Sequence, residues 1–82
     1  MSLSYNDKLT LLQYAITKYD SENVLKEKLK NVLSIKDIER SIDTLIATQR
    51  VRRIGPDVLQ NNVSHTELPE IPENLKPIIE GI

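Results

Sequence analysis

Cysteine is absent from the 82 residues, which removes disulfides and thiolate zinc sites as sources of stability. Tryptophan and phenylalanine are absent too, and tyrosine occurs three times. Any core must therefore be built mainly from Leu, Ile and Val. Glycine occurs only as Gly55 and Gly81, so there is no glycine-rich loop to cradle a phosphate. The single histidine, His65, stands beside Ser64 and Glu67. Alone it cannot build a metal site, and no nucleophile–base set can be assembled around it. His65 is expected at the surface, and no enzymatic activity, metal or cofactor is expected. No apolar run approaches the ~20 residues of a membrane span. The segment from Met1 to Lys8 lacks the basic-then-apolar plan of a secretion signal. A membrane partner is not expected, and a cytoplasmic or nucleoid-associated location is. Without secretion, the glycosylation triplet Asn62-Val63-Ser64 is read as a chance match.

What remains is an ordinary balance of 39% hydrophobic and 28% charged residues, enough for one small folded domain with a modest core. The net charge of −1 hides a division. Residues 1–54 hold ten basic side chains against seven acidic, or +3, whereas residues 55–82 hold Lys76 against five acids, or −4. A phosphate-binding surface would have to lie in the first part.

Hydrophobic periodicity predicts three helices. Leu9, Leu12, Ile16 and Tyr19 form an i, i+3, i+7, i+10 stripe over residues 6–19, with Ser4 and Asp7 at capping-box spacing. A second helix should start after Asp20 or Ser21, bury Leu25, Leu29 and Val32 or Leu33, and carry a Glu22–Lys26 pair. Asn31 is the residue expected to turn left-handed at its end. The third helix has Ser34 as cap and Asp37 three residues on, followed by Ile35, Ile38, Ile42 and Leu45 with Ile46 widening the stripe, and the pattern runs through Gln49. Val51-Arg52-Arg53-Ile54, the turn Gly55-Pro56-Asp57 and Val58-Leu59-Gln60 then read as a hairpin. Val51 and Ile54 are out of phase, which predicts a very short strand or a bulge. Three of the four prolines fall in Leu68–Pro77, where an extended path is expected with at most a loose turn over residues 73–80.

Three short helices leading through Ile-Ala-Thr-Gln-Arg-Val-Arg-Arg-Ile-Gly into a hairpin resemble the winged helix-turn-helix superfamily. The resemblance covers roughly residues 6–62 and rests on patterns of residue type. It implies a mainly α fold with a small β-hairpin, namely three helices plus a short wing, over residues 1–65. Residues 66–82 would form an acidic, proline-containing C-terminal extension. It further implies a sequence-specific, transcription regulator-like protein that docks its third helix in the major groove of double-stranded DNA.

Carried over by position, the outward stripe of the third helix is Lys36, Arg40, Asp43, Ala47 and Arg50, with Thr44 and Gln49 at its margins. Arg40 suits a bidentate contact to guanine. Arg50, Arg52 and Arg53 would meet the backbone, flanked by Lys26, Lys28 and Lys30. Asp37, Glu39 and Asp43 lie on the same helix and would repel phosphate. Over residues 34–54 five basic residues face three acidic ones, a balance of +2. A homodimer is expected from size, with the first helix or the apolar residues Ile71, Leu75, Ile78 and Ile79 as its surface. The alternative is a protein–protein adaptor. Leu68, Pro69, Ile71 and Pro72 look like the apolar–proline peptides by which ESCRT-III tails engage MIT domains. The favoured reading is instead a tail packed across the domain, with Leu68, Ile71, Leu75, Ile78 and Ile79 covering its apolar surface.

Overall fold

Three serines start three helices in the same way. Ser4, Ser21 and Ser34 each adopt an extended backbone and accept a hydrogen bond from the amide three residues on, those of Asp7, Val24 and Asp37. They open α1 (Tyr5–Lys18), α2 (Glu22–Leu29) and α3 (Ile35–Ala47). Each cap satisfies an amide that the first turn would otherwise leave without a partner. The computed structural model describes residues 3–62 and 68–82. The expected surface position of His65, the Asn62-Val63-Ser64 triplet and the boundary after residue 65 lie wholly or partly outside the described residues.

The chain between α2 and α3 turns without a left-handed residue. The amides of Val32 and Leu33 both bond the Leu29 carbonyl, and Asn31 keeps a negative φ, contrary to expectation. Leu33, not Val32, fills the buried position at the end of this turn. Gln49 is the left-handed residue instead, with φ 63°. Helix α3 ends at Ala47, and the Arg50 amide bonds the Leu45 carbonyl while that of Gln49 bonds Ile46. This crossed pair is the Schellman arrangement, which usually places glycine where Gln49 stands. Ile35 also departs from the expected stripe, with 45% of its surface exposed. At about 100° per residue it lies on the flank of the buried row Ile38, Ile42, Leu45, in the first turn of the helix.

The chain then forms β1 (Val51–Gly55) and β2 (Val58–Asn61), an antiparallel hairpin closed by Pro56 and Asp57. Val51 pairs with Asn61, Arg52 with Gln60 and Arg53 with Leu59, after which the register shifts and Gly55 pairs with Val58. The extra residue is Ile54, so the phase mismatch in the sequence corresponds to a bulge. Val51 and Leu59 are buried, whereas Arg52 and Gln60 form an exposed pair. A one-residue bridge from Ser21 to Val58 adds the segment between α1 and α2 to the hairpin's other edge. The Leu59 amide reinforces it by bonding the Asp20 carbonyl at 2.7 Å.

A fourth helix, α4 (Lys76–Gly81), lies in the tail that was expected to be extended. Pro77 falls in its first turn, where the missing amide hydrogen has no partner to lose. Leu75 is fully buried and Ile79 is 6% exposed, both in the one core shared with α1, α2, α3 and the hairpin. They are therefore not free to form a dimer surface. On α1, Asp7, Leu11, Tyr14 and Lys18 recur at i, i+4, i+7 and i+11, a second stripe facing the tail. Leu11 is fully buried. Tyr14 donates to the Pro69 carbonyl, Lys18 to the Ile79 carbonyl, and Asp7 accepts from Asn74. Among the described residues, no helix is long and apolar enough to cross a membrane.

Two stability measurements check this account. Gln49→Gly should raise stability by about 0.5–1 kcal/mol in urea melts, by removing the steric cost of a left-handed side chain. Leu75→Ala should lower stability by about 2–5 kcal/mol, as for other core truncations. A loss within ~0.5 kcal/mol would mean that the tail is not part of the core.

Candidate nucleic-acid interface

Burial divides the surface of α3 into an outer stripe and two flanks. Lys36, Arg40, Asp43 and Ala47 are all exposed and sit opposite the buried row of Ile38, Ile42 and Leu45. Asp37 and Thr44 lie on the flank toward α1. Lys8 reaches Asp37 at 3.2 Å, and the Tyr5 hydroxyl bonds that of Thr44 at 3.1 Å. The Asp37 carboxylate thus turns to Lys8, while its amide alone bonds the Ser34 cap. Glu39 lies on the opposite flank, toward α2 and the hairpin, 3.4 Å from Lys26. Two of the three acids on this helix are thereby paired away from its outer stripe, and only Asp43 remains on it.

The flank facing the hairpin carries a connected ion-pair network. Lys26 lies 3.2 Å from Glu22, and the Arg53 guanidinium donates to the other Glu22 oxygen at 2.7 Å. These groups, with Glu39, Ile42 and Asp43, line an open cleft of about 210 Å³ between α2, α3 and β1. Partial burial pushes the Glu22 carboxyl up. The hydrogen bonds and charges of Arg53 and Lys26 together outweigh it and hold the group below its usual value. Lys26 is held above its usual value, first by its hydrogen bond to Glu22.

The hairpin is fastened to the start of α2 by Asp57. Its carboxylate accepts the Ser21 hydroxyl and, at 2.9 Å, the Asn23 amide, while its carbonyl accepts the Glu22 amide at 3.0 Å. These hydrogen bonds, that of Ser21 first, hold the Asp57 carboxyl below its usual value.

The residues proposed from sequence for DNA contact are therefore differently placed, Lys26 being held by Glu22 and Glu39. Lys36, Arg40, Arg50 and Arg52 are exposed and make no ion pair among the described residues. Arg53 is held by Glu22. Lys30 is paired with Glu27 at 2.8 Å, Lys28 sits 5.5 Å from the Tyr19 ring centre, and Thr44 accepts from Tyr5. Of the tail residues Leu68, Pro69, Ile71 and Pro72, all are half-buried, and Pro69 is hydrogen-bonded to α1. To serve as a peptide ligand the segment would have to give up the Tyr14–Pro69 hydrogen bond.

Glu22 and Asp57 carry the arrangement and were missed as site residues. The Glu22–Lys26 spacing was visible in the sequence, but Asp57 read only as a turn residue. No family model, curated protein or solved structure matches this chain.

Asp57 makes acid sensitivity testable. Its folded-state pKa is depressed, so its contribution is present above the unfolded aspartate's range and is lost as pH falls through the folded value. Asp57→Asn should therefore be less stable than the wild type at neutral pH, with the gap closing between about pH 5 and about pH 2 in denaturant melts. A gap independent of pH would show that the carboxylate's charge is not what holds α2.

Proposed function

We propose that this chain is a winged helix-turn-helix module that binds double-stranded DNA. In this reading the outer stripe of α3 enters the major groove and Arg50 and Arg52 contact the backbone. The order α1, α2, α3, hairpin supports the architectural part, with the one-residue Ser21–Val58 bridge setting the α1–α2 connection against the edge of the two-stranded hairpin. The observation that carries the functional part is the sorting of charge on α3. Lys36 and Arg40 are exposed on its outer stripe, while Asp37 and Glu39 are turned to the flanks and paired. What faces outward is thus more basic than the helix as a whole.

Arg40 would read a base edge, since its planar guanidinium matches the two acceptors of guanine, whereas Lys36 near the helix start would reach a phosphate. With about three cations, Lys36, Arg50 and Arg52, on phosphates, the logarithm of the binding constant should fall against the logarithm of salt concentration with a slope of about −3. Arg52→Ala should make that slope shallower by about 0.9 and weaken binding to all duplexes alike. Arg40→Ala should cost about 1–3 kcal/mol on a preferred site and flatten discrimination between sites. Fluorescence anisotropy with labelled duplexes from low to moderate salt measures both. No binding to mixed-sequence duplex at low salt would overturn the proposal.

A second reading, a protein–protein adaptor, draws on apolar side chains left open beside α3 and on the hairpin. Tyr5 is 62% exposed, Ile54 54% and Ile35 45%. Contacts through such groups depend weakly on salt, so the same titration separates the two readings.

A further inference from the structure

The DNA-binding reading leaves one basic residue of the hairpin unused. Arg53 pairs with Leu59 in the register, on the strand face that carries buried Val51, so its side chain runs toward α2 instead of outward with Arg52. There it meets Glu22 at 2.7 Å. Glu22 is held in turn by its place in the first residue of α2, whose amide is bonded to Asp57, and by Lys26 on its other oxygen. The Glu22 side chain is only 19% exposed against 38% for Arg53. The carboxylate is therefore the anchored partner and the guanidinium the more accessible one.

We infer that Glu22 is a positioning residue that holds the Arg53 guanidinium in the cleft between α2, α3 and β1, and so keeps it from contacting a nucleic-acid phosphate. This inference rests on the DNA-binding reading and adds a restraint on affinity to it. A carboxylate and a phosphate compete for the same guanidinium, since both offer paired anionic oxygens to its planar fork. The cleft also contains Glu39 and Asp43, whose charges repel an approaching phosphate. Glu39 is already paired with Lys26, so Glu22 is the acid whose removal frees Arg53. In the wild-type protein the hairpin then contacts the backbone through Arg52 and not through Arg53.

Salt titration of binding to a mixed-sequence duplex tests this in the full chain. Arg53→Ala alone should leave the salt slope of the wild type unchanged. Glu22→Gln should steepen it by about 0.9, one further phosphate contact, and tighten binding several-fold at low salt. The double variant Glu22→Gln with Arg53→Ala should return the slope to the wild-type value. Glu70→Gln, an equal change in net charge on an exposed tail position, should leave the slope unaltered and so separates a new contact from a general charge effect. Thermal melts identify any variant that fails to fold, and Glu22→Ala serves in place of Glu22→Gln in that case. If the wild type binds and removal of Glu22 leaves the slope unchanged, the restraint is absent. If the slope steepens equally without Arg53, the gain is not a contact by that residue, and the inference is overturned. If the wild type binds no duplex at low salt, the DNA-binding reading falls and the restraint with it.

Discussion

The hydrogen bonds of Asp57 to the first turn of α2 fix where the hairpin lies, and the exposed surface follows from that placement. A two-stranded hairpin has little stability of its own in water. Here its turn residue accepts from a side-chain hydroxyl and two backbone amides at one helix start. The Ser21–Val58 bridge and the bond from Leu59 to Asp20 extend the attachment along β2. Because Leu25 and Leu29 of α2 and Ile38, Ile42 and Leu45 of α3 share one core, fastening the hairpin to α2 also fixes it relative to α3.

That placement sorts the charges. With the hairpin fastened to the start of α2, Arg53 comes within reach of Glu22, while the packing of α2 on α3 brings Lys26 to Glu39, and both of these acids are taken up by local pairs. The pairing of Lys8 with Asp37 does the same on the flank formed by α1. Exposed pairs of this kind contribute little to stability individually. Their larger effect is on the field outside, because a paired carboxylate repels an incoming anion less than a bare one. Lys36, Arg40, Arg50 and Arg52, which make no ion pair among the described residues, lie on α3, the turn after it and β1.

The tail has a different part in the structure. With no Trp or Phe, the first three helices and the hairpin supply a core of small and medium apolar residues. Leu75 and Ile79 extend it, and the second stripe of α1 gives them a seat. A helix covered on several sides needs a wider apolar face than a single stripe, and Leu11 and Ala15, both fully buried, supply it. The proline-containing approach to α4 then reads more simply as a packed strap than as a free peptide, since each residue it contributes to the core stabilises the domain.

Local chemistry made the helices legible in advance. Three serine caps, the isoleucine row of α3 and the turn residues Pro56 and Asp57 act within a few residues of chain, so their effects show as spacing. The bulge at Ile54 was legible for the same reason. Gln49 was not, because its left-handed turn is imposed by the need to carry the chain from α3 into β1 against its own preference. The Glu22–Lys26 pair was legible from its spacing, but the further pairing of Glu22 with Arg53 and the partners of Asp37 and Glu39 were hidden, for each acid had several basic residues within reach in sequence terms. The sequence by itself determined that the first three segments are helical, where they begin and how much charge each carries, whereas the prolines before and within α4 hid the fourth helix. Only the tertiary structure decided which of those charges meet one another and which face outward, because Coulomb energy depends on distances that the packing of distant segments sets.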